Sequence, residues 1–289
     1  MAGTLGHMRV CTVGDLLLDV VVRLGTPLVE GSDTPAATTL APGGQAANVA
    51  AWAAALGADA RLVCRRGSDG AAQLAEEGLA ARGIEIVGPR VPEGGGVVVS
   101  LVAPDGDRTM ASDPGASPGL IATDIDPAWL DGVDVLHVSG YALLREPVAR
   151  AAHHLAWLAG TRGIRRSVDL SAAPLIEAHG GARFRLELAE LEPDVVFATV
   201  AEEQAIGGPL PGVLWVRKLG AGGCEVLHGG ERIAAPIEHG PVHDTTGAGD
   251  ALAAGFLVGG APADALRAGL AAAARCVAGV GAMPTVPAA

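Results

Sequence analysis

Asp244-Thr-Thr-Gly-Ala-Gly-Asp250-Ala-Leu-Ala-Ala-Gly-Phe256 joins an extended segment to a helix whose apolar face is built by Leu252, Ala253 and Phe256 at helical spacing. Gly247, Ala248 and Gly249 are too small to cover the backbone, so the amides that open this helix are exposed to an anion, with the positive end of the dipole behind them. The chain carries 20 basic and 32 acidic residues, a net charge of -12, so a phosphate must be held by a local device of this kind. Asp250 falls in the first helical turn beside that site. Two readings of it stand side by side: a base that takes the proton of an attacking hydroxyl, or a carboxylate that caps the helix and favours its dipole.

Other phosphate-binding patterns fail. A Walker loop needs Gly-Lys followed by Ser or Thr, and the single lysine, Lys218, follows Arg217. A dinucleotide fingerprint needs Gly or Ala at its sixth position, where Gly247-Ala-Gly249-Asp-Ala-Leu252 has leucine. The His-Arg-Asp and Asp-Phe-Gly signatures of protein kinases are absent.

Upstream, the pattern predicts strands and helices in alternation. Val10–Val13 reads as a buried first strand, Gln45–Leu56 as an Ala-rich helix closed by Gly57, and Arg61–Cys64, Ala71–Arg82 and Ile84–Val87 as strand, helix and strand. From Val133 the rhythm is regular: strands 134–138, 165–169, 195–198 and 213–218, with helices over 146–159 and about 183–191. A hairpin follows at Cys224–Leu227 and Arg232–Ala235, and helices Ala248–Val258 and Ala263 to about Ala278 close the chain. Short connections favour a mostly parallel sheet with helices on both faces. Extended segments 16–24, 38–41, 97–102 and 107–112, the last two joined through the turn Pro104-Asp-Gly-Asp107, are left over for a small separate sheet.

With 49% apolar and 18% charged residues the chain is globular, and it is long enough to bury its own core. The negative charge argues against nucleic acid or an anionic membrane as partner, and no apolar run is long enough to span a bilayer. Cys11, Cys64, Cys224 and Cys276 form no metal-ligand spacing and read as reduced thiols, so a cytoplasmic location is expected. Gly6-His7-Met8 has the look of a cloning remnant, so the fold is read from Met8, as one domain over 8–289.

The stretch Asp244–Phe256 closely resembles the C-terminal signature of the ribokinase-like, or PfkB, carbohydrate kinases. Gly43-Gly44-Gln-Ala-Ala-Asn48-Val-Ala50 resembles their N-terminal signature, about 200 residues earlier as expected. The resemblance implies a three-layer α/β/α sandwich with a mostly parallel central sheet and a β-sheet lid, and ATP-dependent phosphorylation of a sugar hydroxyl with Mg²⁺. It makes Asp250 the base, Gly247, Ala248 and Gly249 the anion hole, and Asp15, Asp19, Gly43, Gly44 and Asn48 the sugar site. Lys218, Gly220 and Gly222 correspond to the turn beside ATP, and Asp244, Thr246, Gly279, Gly281 and Thr285 to the monovalent cation loop of potassium-activated members. The family's Asn-x-x-Glu appears here as Thr199-Val-Ala-Glu202, which puts the ATP and metal details in question.

Arg108, on a lid strand, and Asp169, at a strand C-terminus, are further candidates for touching the substrate. Aromatic residues amount to 3%, and Tyr141 and the three phenylalanines lie outside the lid segments, which favours a sugar over a nucleoside. Trp52, Trp129, Trp157 and Trp215 are expected in the core, and His137 and His243 in structural roles. A nucleoside kinase of the same fold, or a sugar-binding regulator that has lost catalysis, are the alternatives. Lid strands with open edges also predict a homodimer.

Overall fold

The computed structural model describes residues 8–105, 107–237 and 240–285. Gly106 of the expected lid turn and the segments 1–7 and 286–289 lie outside the described residues. Two sheets organise the rest. The larger has nine strands in the order β13-β12-β11-β10-β9-β8-β1-β4-β5, numbered along the chain: β1 Arg9–Val13, β4 Asp59–Val63, β5 Glu85–Val87, β8 Val135–Ser139, β9 Arg165–Asp169, β10 Val195–Thr199, β11 Leu214–Lys218, β12 Cys224–His228 and β13 Glu231–Ala235. All neighbours from β11 to β5 pair in parallel, and β12 and β13 are the expected hairpin, added antiparallel at one edge.

The parallel strands are short Val-rich runs because both of their faces are covered. On one face Leu136, Val138, Val168 and Val196 pack under α4 (Val148–Thr161), which presents Ala152, Leu155 and Ala159. On the other, Val10, Val195, Phe197 and Val216 meet α8 (Ala248–Val258) and α9 (Pro262–Val277) through Leu252, Phe256 and Leu266. Each of the Val, Leu and Phe side chains among them contributes about 1.5–3 kcal/mol by burial. Helices α1 (Gln45–Ala55) and α2 (Gly70–Ala80) complete this side.

Four elements differ from expectation. The 146–159 helix starts two residues later, after a short α3 (Gly140–Leu143), and the region before 191 holds two helices, α5 (Ala173–His179) and α6 (Gly181–Glu190), split at Gly180 with φ 99°. A six-residue α7 (Val200–Ala205) follows β10. Trp157 is exposed, at 61%, and stacks on His154, so it is not a core residue; Trp52 and Trp215 are buried as expected.

The second sheet, β3-β2-β6-β7, is built from β2 Leu17–Leu24, β3 Ala36–Gly43, β6 Gly96–Val102 and β7 Arg108–Asp113. β6 and β7 form the antiparallel hairpin anticipated across the Pro104 turn, while β2 and β6 run parallel. Its chain enters straight from the C-terminal end of β1, so this sheet sits over the carboxyl ends of the parallel strands, where ligands of open α/β sheets gather.

Candidate active site

Those carboxyl ends deliver most of the polar side chains. Asp15 follows β1, Ser139 ends β8, Asp169 ends β9, Thr199 ends β10 and Lys218 ends β11, with Ser139 opposite Asp169 and Thr199 opposite Lys218 in the ladder register. A cleft of about 1040 Å³ opens between them and the small sheet, lined from the lid by Asp19, Val21, Val98 and Arg108. It also takes in the N-termini of α1 and α8.

At α8, Gly247 adopts φ 76° and would drive a Cβ to within 2.7 Å of Ala282, so the turn demands glycine. The Ala248 amide is engaged by the Thr245 carbonyl at 3.3 Å, contrary to the expectation that all three small residues open toward a ligand. Among the described residues the amides of Gly247, Gly249 and Asp250 have no partner. Asp250 Oδ2 accepts from Asn48 Nδ2 at 2.8 Å, which ties α8 to α1 across 202 residues. Burial raises the Asp250 carboxyl to about 8; Asn48 pulls it down, while the charge of Asp169 adds to the rise. Asn48 itself is buried, and its Oδ1 has no partner among the described residues.

The other carboxylates of the cleft differ in their surroundings. Asp15 Oδ1 accepts from the Ala46 amide at 3.4 Å, so it serves the start of α1, and burial holds its carboxyl above the ordinary range. Asp19 has no donor among the described residues; burial and then the neighbouring Asp15 raise it to about 6. Gly43 and Gly44 make room for both: a Cβ on Gly43 would fall 2.3 Å from the Asp19 carboxyl, and one on Gly44 2.6 Å from the Asp15 carbonyl oxygen.

Lys218 Nζ donates to both oxygens of Asp169, at 2.9 and 2.8 Å, and lies 3.8 Å from Glu202. Burial would depress this lysine, but the two carboxylates outweigh it and hold it above its usual value. Asp169, expected to meet substrate, is instead committed to this ion pair and is 1% exposed. Glu202 closes a capping box with Thr199: its Oε2 accepts from the Thr199 amide at 2.8 Å and the Thr199 hydroxyl accepts from the Glu202 amide at 3.2 Å. The departure from Asn at 199 thus retains a function in the helix start, and the Ser/Thr-x-x-Glu pattern was visible in the sequence. Lys218 Nζ lies 3.6 Å from where a Gly249 Cβ would be, so its charge sits at the open amides of α8. Gly220 lines the cleft and Gly222 lies in the following 3₁₀ turn, outside the lining.

Arg108 also reaches the cleft, but its Nη2 donates to Asp244 Oδ1 at 2.8 Å. The same carboxylate accepts from the Thr246 amide (2.9 Å), the Thr246 hydroxyl (2.7 Å) and the Gly281 amide (3.0 Å). Of the residues expected around a monovalent cation, Asp244, Thr246 and Gly281 are joined by these hydrogen bonds, and Thr285 is exposed. Among the described residues no cluster of three or more His, Cys, Asp or Glu side chains forms a metal site. His137 is buried against Ser167, with burial lowering it to about 4, and His243 is exposed; neither lines the cleft. Reading the sequence missed the cleft residues Gln45, Arg145 and Ser171, and the buried Ser139 that holds Gln45 from behind, whose placement depends on strand order. No helix among the described residues is long and apolar enough to cross a membrane.

Known proteins carry the same plan. The pattern of the pfkB family carbohydrate kinases matches residues 8–289. An ATP-dependent ribose-1-phosphate kinase of Halopiger xanaduensis is 28% identical over 254 residues, covering 86% of this chain and 84% of that protein. A 1-phosphofructokinase of Rhodobacter capsulatus is 29% identical over 274 residues, covering 86% and 83%. Among solved structures, adenosine kinase from Sinorhizobium meliloti superposes with a TM-score of 0.85 at 23% identity, covering 96% of both chains. On the strength of a match that runs through both signature segments and nearly the whole fold, the chain belongs to the pfkB family of carbohydrate kinases and is an ATP-dependent kinase.

Proposed function

We propose that the chain transfers the γ-phosphoryl group of ATP to a hydroxyl of a small sugar or sugar derivative, with Asp250 as general base. The observation that carries this reading is the placement of the Asp250 carboxylate. One oxygen is held by Asn48, and the open amides of Gly247, Gly249 and Asp250 lie at the same helix start, with Lys218 beside them. The free Asp250 oxygen takes the proton of the sugar hydroxyl while the sugar oxygen forms its bond to the γ-phosphorus and the bond from that phosphorus to ADP breaks. The amides and Lys218 meet the charge that builds on the transferring group. Asp19 and the unpartnered Asn48 Oδ1 accept hydrogen bonds from neighbouring hydroxyls and orient the sugar.

Magnesium fits this arrangement in the way it usually meets nucleotides, through few carboxylates plus phosphates and water. Glu202 Oε1 has no partner among the described residues, and Thr199 and Glu202 would hold the ion, which neutralises charge on the β and γ oxygens. Potassium does not fit on the Asp244 carboxylate, where three N–H groups and a hydroxyl already donate and Arg108 supplies the positive charge. The reading contains no potassium-dependent step.

Two of the relatives, by their names, act on phosphorylated sugars and one structural neighbour on a nucleoside. Tyr141 is the aromatic side chain of the described lining, too little stacking surface for a base, so a sugar is favoured. The lid's outer strands β3 and β7 carry exposed Leu40 and Met110, and pairing of lids between two copies belongs to the same reading; light scattering that gives a monomer would remove it. A coupled assay of ADP release with sugars, sugar acids, sugar phosphates and nucleosides tests the activity. Sugar-stimulated turnover is expected. Binding of a sugar in calorimetry with no turnover from any compound would turn the protein into a sugar-binding regulator.

A further inference from the structure

Three cations line the cleft: Arg108, Lys218 and Arg145. Arg108 is neutralised by Asp244 and Lys218 by Asp169 and Glu202. Arg145, in the turn between α3 and α4, is half-buried; its carbonyl accepts from the Ala149 amide, but its guanidinium makes no hydrogen bond or ion pair among the described residues. In a chain with 32 acidic residues, this arginine enters the cleft near Asp15 without forming an ion pair or hydrogen bond to it, so its guanidinium N–H groups are open to a ligand.

A second donor is left free nearby. Gln45 Oε1 accepts from the Ser139 hydroxyl at 2.5 Å and from the Ser171 hydroxyl at 2.6 Å, which fixes the amide with its Nε2 side unpartnered among the described residues. Ser171 is held in place at φ 74°, a strained setting for a residue with a side chain, and its own amide bonds Asp169 Oδ1 at 3.0 Å. Asp15 is the common neighbour. The amides of Ala46 and Gln45 and then the Arg145 guanidinium draw its carboxyl down against the larger effect of burial.

A neutral sugar presents hydroxyls, and Asp19, Asp250 and Asn48 Oδ1 already provide acceptors for them. A guanidinium and an amide N–H₂ that line the same cleft and both neighbour Asp15 instead suit a planar or tetrahedral oxyanion, which a guanidinium grips with two parallel bonds. Resting on the kinase reading above, we propose that Arg145 and Gln45 bind an anionic substituent of the acceptor, a phosphate or a carboxylate, so that the substrate is an acidic sugar derivative.

Calorimetry on the whole protein tests this without relying on turnover. The probes are ribose, fructose and glucose, their 1-phosphates, and the acids ribonate and gluconate. At least one charged member should bind tenfold or more tightly than its parent sugar, and the 1-phosphates against the acids tell phosphate from carboxylate. R145Q should erase that margin, by about 10- to 100-fold in Kd, and change free-sugar binding less than threefold; R145K should restore part of it. D250N should keep the margin while losing turnover. Free sugars that bind as well as the charged ones, no binding by any charged probe, or an R145Q loss shared equally by charged and free sugars would each overturn the proposal. The margin found in a parent protein that turns over none of these compounds would instead refute the kinase reading and leave the anion site standing.

Discussion

The two ends of the cleft handle charge in opposite ways. At the end formed by β9, β10 and β11, the buried lysine is matched by Asp169 and Glu202 within 4 Å, and the helix start of α8 adds open amides. At the end formed by β1, β2 and α1, Asp15 and Asp19 come near Asp250 of α8; burial pushes all three carboxyls up, and neighbouring carboxylates add to the rise at Asp19 and Asp250. An ion-paired set costs its desolvation once, at folding, and is rigid thereafter. Unpaired carboxyls are poised to exchange protons near neutrality. The first arrangement suits holding a polyphosphate and the second suits taking a proton from a hydroxyl.

The comparison breaks first at Asp250. D250N keeps the Asn48 contact but removes the base, so kcat should fall by about 10²- to 10⁴-fold with ATP and sugar binding retained. Turnover within threefold of the parent protein would show that the crowded carboxyl is a helix-start residue and nothing more. In the parent protein only the ionised form accepts a proton, so kcat/KM should rise about tenfold per pH unit up to about 8 and level above it. Stability runs the other way. The folded carboxyl is raised from 3.8 to about 8, so its contribution is full below about pH 4 and is lost as pH rises through 8. Above pH 8, D250N should therefore be the more stable protein, by on the order of 1–2 kcal/mol.

The paired end is tested by taking its cation away. K218M leaves Asp169 and Glu202 facing each other without compensation in a site where Asp169 is 1% exposed. Unfolding in denaturant should show a loss of about 3–5 kcal/mol. The double variant K218M/D169N, which removes one of the stranded charges, should recover a good part of it. A loss under about 1 kcal/mol would mean that the pair is solvated and that the two ends of the cleft are alike.

How much of this was legible in the sequence follows the range of the interactions. Helix α8 begins and ends where its glycine turn and apolar spacing put it, and the β6–β7 hairpin follows from its turn residues, because both are encoded within a dozen positions. The signature segments brought out Asp250, Asn48 and the glycines around them, and Asp19 stood out by its place after the first strand. α7 lies outside the sequence expectation although Thr199-Val-Ala-Glu202 is a helix-start pattern, because six residues are too few to show an apolar period. Pairings such as Lys218 with Asp169, 49 residues apart, and Arg108 with Asp244, 136 apart, depend on which strands lie side by side and where the lid folds. Strand order lies beyond local pattern, and so Arg145, Gln45 and Ser171 carried no signal until the ends of β1, β8 and β9 were adjacent.

The finest test separates two carboxylates within the unpaired end. Asp19 has no donor among the described residues and is raised only to about 6, against about 8 for Asp250, because Asp250 is the more fully desolvated and also feels Asp169. Ionised, Asp19 accepts two sugar hydroxyls; protonated, it loses part of that capacity. KM for the sugar should therefore climb as pH falls through about 6 while kcat follows the separate midpoint near 8. D19N should raise KM by roughly 10- to 100-fold, the worth of a charged hydrogen bond or two, and abolish the climb below pH 6. A D19N effect confined to kcat would place the lid carboxylate beside the reacting oxygen rather than on its neighbours, and would make this end of the cleft a proton-transferring pair instead of one base and one grip.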